Sequence, residues 1–351
     1  LEGAMGALDS AADGLGSTAD LAAELSLPAV LVVDVSGQGQ SAAIAPAGLK
    51  AIRPDLAIAG IVLNNLGSSR HEKFAAHACE EFGFRVFGSI KRDPTLSSPT
   101  RHLGLVLPSE LDEIEACISR IGRTIADSVD LDRVLEAGAP SAPPSLSSSG
   151  VPPLGQRIAI AKDAAFSFVY EHFLQDWYSA GAEMSFFAPL KDESPAADAD
   201  AIFRPGGYPE LHAEGLSQAA RFRGAMVAAA ARGTRIYGEC GGFMVLGRSI
   251  VDAEGAAYPM LGLLPVDTSF AERNRTLGYR RLRLLGSHQP WPRHLVGHEF
   301  HYSTIAADDA AARFFEAETS DGKPLGEIGA VVGNTMGSYA HVIGLDPSRT
   351  P

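Results

Sequence analysis

Short apolar runs punctuate the first third of the chain: PAVLVVD at 28–34, LAIAGIVLN at 56–64 and FRVFGSI at 84–90. Runs of this length, separated by stretches long enough for crossover helices, predict the strands of an α/β unit. Between the second and third, residues 70–82 carry Phe74, Ala75, Ala78, Cys79 and Phe82 at helical spacing, on one face. Cys79 is therefore expected in a core, and Cys117, in line with Ile114, Ile118 and Ile121, is expected in one too. The rhythm breaks at 138–153. There GAPSAPPSLSSSGVPP has no periodicity and concentrates proline, serine and glycine, which disfavour regular elements and predict an extended linker. Alternation then resumes, with a strand at 157–163 (RIAIAKD), a helix over 166–180 and a strand at 183–189 (EMSFFAP). The pattern describes two α/β domains, 1–137 and 154–351, on either side of that linker.

Composition narrows the function classes. With 351 residues and 46% apolar content the chain can bury a sizeable core in each domain. A net charge of -13, from 42 acidic against 29 basic residues, leaves no basic footprint for a nucleic-acid backbone. No apolar stretch approaches the roughly 18 residues of a membrane span, so neither nucleic acid nor membrane is an expected partner. Cys79, Cys117 and Cys240 are too few and too dispersed for a disulfide scaffold, and no CxxC pair suggests structural zinc. A soluble protein of the cytoplasm is expected. The sequence opens on Leu1 and Glu2, then GAMGALD, which has neither a signal-peptide nor a leader pattern, and an upstream segment is expected to be absent.

Chemistry concentrates around Cys240. The segment RIYGECGGFMVLG, 235–247, passes from a short strand through a glycine-rich turn into an apolar helical stretch. Such a turn presents a sulfur at the carboxyl edge of a sheet, and the following helix N-terminus favours thiolate. A thiol attacking a carbonyl also needs donors for the developing oxyanion and a base for its proton. IFRPGGYPEL, 202–211, ends a strand in paired glycines, which makes the backbone amides of Gly207 and Gly241 the leading oxyanion donors. His341, after another strand and glycine turn in AVVGNTMGSYAH, is the candidate base.

The segments GECGGFMVLG, PGGYPELHAEGLS, GHEFHYS and GNTMGSYAH, with GSTADLA, VVDVSGQGQSAA and NNLGSSRHE upstream, resemble the cobyrinic or hydrogenobyrinic acid a,c-diamide synthase family over nearly the whole chain. The resemblance implies an ATP-dependent amide-forming domain of P-loop type, related to dethiobiotin synthetase, followed by a class I-like glutamine amidotransferase domain. It also implies glutamine and a corrin acid as substrates, with ATP and Mg2+ as cofactors. By motif, Cys240 matches the family nucleophile and His341 the residue that activates it. Thioester formation on Cys240 would release ammonia, and ammonia would attack an acyl phosphate formed from the a or c acetate of the ring. The chain departs from the usual amidotransferase H-x-E pattern, since Val342 and Ile343 follow His341, so no third triad member is assigned. In GHEFHYS, His298 and His301 would point to opposite faces of a strand, which gives no compact zinc motif. The resemblance places Glu299 and His301 near the acid substrate or the domain interface.

For the first domain, the resemblance aligns Glu2 with the acidic end of a strand near magnesium and Asn64 with the adenine-recognition loop. SGQGQSAA after the first strand mimics a dinucleotide fingerprint with Asp55 downstream, but that match is permissive. No G-x-x-x-x-G-K-[ST] occurs, and Lys323 in DGKPLG lacks the spacing and context of such a loop. A partial nucleotide-binding domain lacking its phosphate loop is therefore expected, with glutaminase activity retained and synthetase activity low even with free ammonia. Cobyric acid synthase-like amidation of other corrin carboxylates is the alternative enzyme. A catalytically silent interaction protein is the alternative from another class, and a homodimer is the assembly considered.

Overall fold

A computed structural model describes residues 1–3, 5–96, 114–138, 150–286 and 291–349. The chain divides into two compact units, 1–10 with 14–145 and 11–13 with 146–351.

The first unit holds a parallel sheet in the order Ala29–Asp34, Ile58–Leu66, Val86–Lys91. All three strands fall within two residues of the apolar runs that predict them. Asp34 stands opposite Asn64 in the register, at the carboxyl edge. The helix Ser69–Glu81 begins at Ser68, whose side chain accepts from the His71 amide, and it lays Ala75, Ala78 and Cys79 on the sheet. Cys79 is a core residue, as its spacing predicts. Phe74 and Phe82 are exposed, because only the small side chains of that face fit against the strands. The stripe around Cys117 differs more. Within the helix Ile114–Ser128, Cys117 is half-buried while Ile118 and Ile121 are exposed. Contact with the sheet is made further on, where Ile125 and the buried Val129 pack around Phe87.

Residues 139–149 of the expected linker lie outside the described residues. Its last residues are not an extended spacer: Val151 is buried, its carbonyl accepts from Trp177 Nε1 at 3.2 Å, and the Pro152 carbonyl accepts from Trp291 Nε1 at 2.9 Å.

The second unit is built on a six-stranded sheet in the order Ala330–Val332, Thr335–Ser338, Arg235–Glu239, Ala201–Arg204, Arg157–Ala161, Glu183–Phe187. All neighbours are parallel except the first pair. Alternate residues of its strands enter two different cores, so both faces are covered and the central strands read as continuous apolar runs. On one face Ile202 and Ile236 meet Phe222 and Met226 of the helix Ala220–Ala231. On the other, Phe203 and Tyr237 meet Phe173 and Trp177 of the helix Glu171–Ser179. That core also takes in Leu282, Leu295 and Val342 of a five-stranded antiparallel sheet. The helix expected from 166 starts only at Glu171, because the preceding residues are extended: the Phe168 amide donates to the Gly206 carbonyl at 3.0 Å. No helix among the described residues is long and apolar enough to cross a membrane.

Trp177 fills one core and ties it to residue 151, so Trp177→Ala is expected to cost about 3–5 kcal/mol. Urea unfolding of the second unit, followed by the fluorescence of Trp291, checks this as a lowered midpoint.

Candidate active site

The strand Arg235–Glu239 ends at Cys240, whose φ of 46° and ψ of -110° form a conformation rarely taken outside glycine. Two backbone bonds hold it there. The Cys240 amide donates to the Ser338 carbonyl at 2.9 Å, and the Met244 amide donates to the Cys240 carbonyl at 3.0 Å. The two glycines that follow allow the helix Gly241–Leu246 to press against the 204–209 loop. A Cβ on Gly242 would stand 2.1 Å from the Arg204 carbonyl oxygen. One on Gly241 would stand 2.7 Å from Pro209 Cδ and 3.1 Å from the Gly207 nitrogen. The backbones of Gly207 and Gly241 are thus side by side at the nucleophile turn.

Cys240 is only 3% exposed. Burial pushes its thiol up to about 12, and the nearby Glu210 carboxylate adds to this, while the Gly241 amide pulls the other way. The expectation that the helix N-terminus favours thiolate is therefore corrected: the helix has six residues, and desolvation outweighs a single amide dipole. Such a thiol needs a base.

His341 opens the strand His341–Leu345 and is 2% exposed. Its ring lies on Gly206, where a Cβ would come 2.4 Å from Cε1 and 3.2 Å from Nε2. His298 stacks on it at 4.7 Å with rings 4° from parallel, and the Tyr170 hydroxyl bonds to His298 Nε2. Burial and the neighbouring His298 and His301 push His341 down to about 3, so it rests as a neutral imidazole. Gly206 touches His341 and the next residue, Gly207, touches Gly241, so one short loop joins the two halves of the site. The structure thereby gathers Cys240, His341, Gly207 and Gly241 at the carboxyl edge of the six-stranded sheet.

Glu299 and His301 lie close by, on the strand His294–His301, where His298 pairs in register with His341. Glu299 is buried and accepts from Arg280 Nε at 2.7 Å. His301 stacks on Tyr339 at 3.9 Å. Its Nδ1 stands 3.0 Å from the Ser303 carbonyl, which can only accept, so Nδ1 carries the proton. Ser303 donates in turn to the Tyr339 hydroxyl at 2.9 Å. Among the described residues no group of three or more His, Cys, Asp or Glu could hold a metal ion.

One buried carboxylate escaped the sequence reading. Glu239, directly before Cys240, is fully buried. Its Oε1 accepts from the Tyr237 hydroxyl at 2.9 Å and the Val342 amide at 3.1 Å, and its Oε2 stands 3.7 Å from His341 Nδ1. Burial pushes this carboxyl up to about 8 against the pull of those two bonds. The available signal was a carboxylate at the end of the central strand, directly before the candidate nucleophile.

In the first unit, Asn64 lines a cleft of about 570 Å³ with Asn65, Lys91, Arg92 and Asp93, at the carboxyl ends of two strands. Glu2 is exposed, and residues 1–3 carry no helix or strand.

Residues 157–348 match the CobB/CobQ-like glutamine amidotransferase domain. The hydrogenobyrinate a,c-diamide synthase of Brucella abortus is 48% identical over 344 residues, 97% of this chain and 79% of that protein. The chain belongs to the hydrogenobyrinate a,c-diamide synthase family. A Sinorhizobium member is 47% identical over 98% of this chain and 79% of its own length. A glutamine amidotransferase structure from Thermotoga maritima overlays 53% of this chain and 75% of its own at 14% identity, with a TM-score of 0.36. Membership makes the chain a glutamine-dependent amide-forming enzyme.

Because the resting thiol is neutral, iodoacetamide should modify Cys240 slowly at pH 7. The rate should climb with pH toward the raised value near 12, later than for a free cysteine near 8.5. Peptide mapping of the labelled residue over pH 7–11 checks this.

Proposed function

We propose that the chain hydrolyses glutamine at Cys240 and delivers the ammonia to the a and c acetate carboxylates of hydrogenobyrinic or cobyrinic acid. The observation that carries this reading is the strained turn at Cys240, flanked by the Gly207 and Gly241 backbones and reached through Gly206 by His341. In this scheme Cys240 Sγ gives its proton to His341 and attacks the side-chain carboxamide. The two glycine amides receive the oxyanion, and ammonia leaves. Water then cleaves the glutamyl thioester and glutamate departs. His341 suits the role of base because burial holds its imidazole neutral. The buried setting strengthens each of these interactions by excluding water.

The first unit is assigned the ATP-dependent step, in which each ring carboxylate becomes an acyl phosphate that ammonia displaces. The cleft at Asn64 fits a nucleotide in part. The side-chain amide offers a donor and an acceptor to a base edge, and Lys91 and Arg92 offer positive charge. Glu2, an exposed carboxylate, would hold magnesium together with the phosphate oxygens of the nucleotide, one or two carboxylates being enough for that ion. The curated relatives named hydrogenobyrinate a,c-diamide synthases support the choice of corrin substrate. The three free cysteines support a cytoplasmic setting.

Intact-mass spectrometry after a brief glutamine pulse should find a glutamyl adduct, and assays should find glutamate and ammonia, with little ring amidation by this chain alone. Cys240→Ser should remove the adduct and lower hydrolysis by about 10³-fold or more, with the circular dichroism spectrum unchanged. An adduct that persists in Cys240→Ser would remove the cysteine from this role. Asn64→Ala should weaken ATP binding by about tenfold while glutamine hydrolysis is retained, as calorimetry and the ammonia assay would show.

A further inference from the structure

The chain offers no carboxylate two residues after His341, yet a buried one faces the ring from another strand. Tyr237 and Glu239 are two residues apart and so share a face of the strand Arg235–Glu239. That face turns toward the strand His341–Leu345, whose Val342 amide donates to Glu239 Oε1. The Tyr237 hydroxyl donates to the same oxygen. Oε1 is thereby fixed as an acceptor. Oε2 and His341 Nδ1 are both buried, both lack any other hydrogen-bond partner among the described residues, and stand 3.7 Å apart. Buried polar atoms are rarely left unpaired in native proteins, and these two have only each other.

We infer that Glu239 is the positioning residue of the base: its Oε2 orients His341 through Nδ1, replacing the carboxylate missing from the sequence after the histidine. This rests on the roles of Cys240 and His341 proposed above. The proton positions follow from the geometry. When Glu239 is protonated, its proton sits on Oε2, since Oε1 already receives two donors, and it points at Nδ1. His341 then carries its own proton on Nε2 and cannot act as a base. When the pair loses one proton, Nδ1–H donates to the Oε2 carboxylate, and Nε2, beside Gly206, has a free lone pair. The Cys240 S–H bond then breaks as Nε2–H forms, and the carboxylate faces the resulting imidazolium. The other titratable groups around the pair are Tyr170, Tyr237, His298 and His301. Burial holds both phenols above and both imidazoles below their ordinary values, so these four rest uncharged. Glutamine hydrolysis should therefore rise with pH as the Glu239–His341 pair gives up its shared proton.

Glu239→Gln tests the inference. Its amide oxygen must take the Oε1 place to accept from Tyr237 and Val342, which puts the NH2 group at the Oε2 place, donating to Nδ1. That fixes the Nε2–H tautomer of His341. Hydrolysis should fall by about 10³-fold with the glutamine KM within about twofold of wild type and the Tm nearly unchanged. The 15N spectrum should show His341 protonated on Nε2 at every pH above its titration. Cys240→Ser and His341→Ala are measured alongside. If either of these retains hydrolysis, the underlying reading fails and the inference with it. If both lose hydrolysis while folded Glu239→Gln keeps wild-type kcat, the inference alone is overturned. Should Glu239→Gln not fold, the wild-type 15N spectrum at alkaline pH decides: a proton on Nδ1 supports the inference, and one on Nε2 throughout overturns it.

Discussion

The second unit depends on the backbone of one residue, Cys240, held at positive φ where the central strand meets the helix Gly241–Leu246. A side chain with a Cβ takes that conformation at a cost of order 1–3 kcal/mol, so the surroundings must over-determine it. They do so with the Ser338 carbonyl bonded to the Cys240 amide, and with Gly241 and Gly242 packed against the 204–209 loop at distances no side chain would permit. The same contacts that maintain the strain bring the Gly207 and Gly241 backbones beside the sulfur. Rigidity and function thus share one set of atoms, and none of the main-chain parts can shift without moving the others.

The titratable groups around this turn follow from its burial. Desolvation pushes the Cys240 thiol and the Glu239 carboxyl upward and the His341 imidazole downward, which leaves each of them uncharged at rest. Proton transfer from sulfur to His341 follows only once the Glu239–His341 pair has given up one proton, and until then the neutral thiol is protected from reacting.

Much of this was legible in the chain itself. The apolar runs located the strands of both units, and the glycine-flanked cysteine and histidine located the two ends of the site, because strand periodicity and turn chemistry are local properties. What failed depended on contacts between distant segments. The helix over 166–180 begins late because Phe168 pairs with Gly206, and the isoleucines near Cys117 are exposed although their spacing suggests a buried stripe. Residues 150–153 look like a linker by composition, yet tryptophans 26 and 139 residues away in sequence bond to them. Glu239 was hidden for the same reason: its partners, Val342 and His341, are more than a hundred positions along the chain. The degree to which Cys240 is buried could not be read from its neighbours either, since the loops that cover it come from elsewhere.

The most direct measurement of the central claim is affinity labelling with an electrophilic glutamine analogue, 6-diazo-5-oxonorleucine, followed by peptide mapping. The account predicts label on Cys240 alone, prevented by glutamine, with Cys79 and Cys117 unmodified. Label that maps to another residue, or a protein that stays unlabelled while it hydrolyses glutamine, would contradict it.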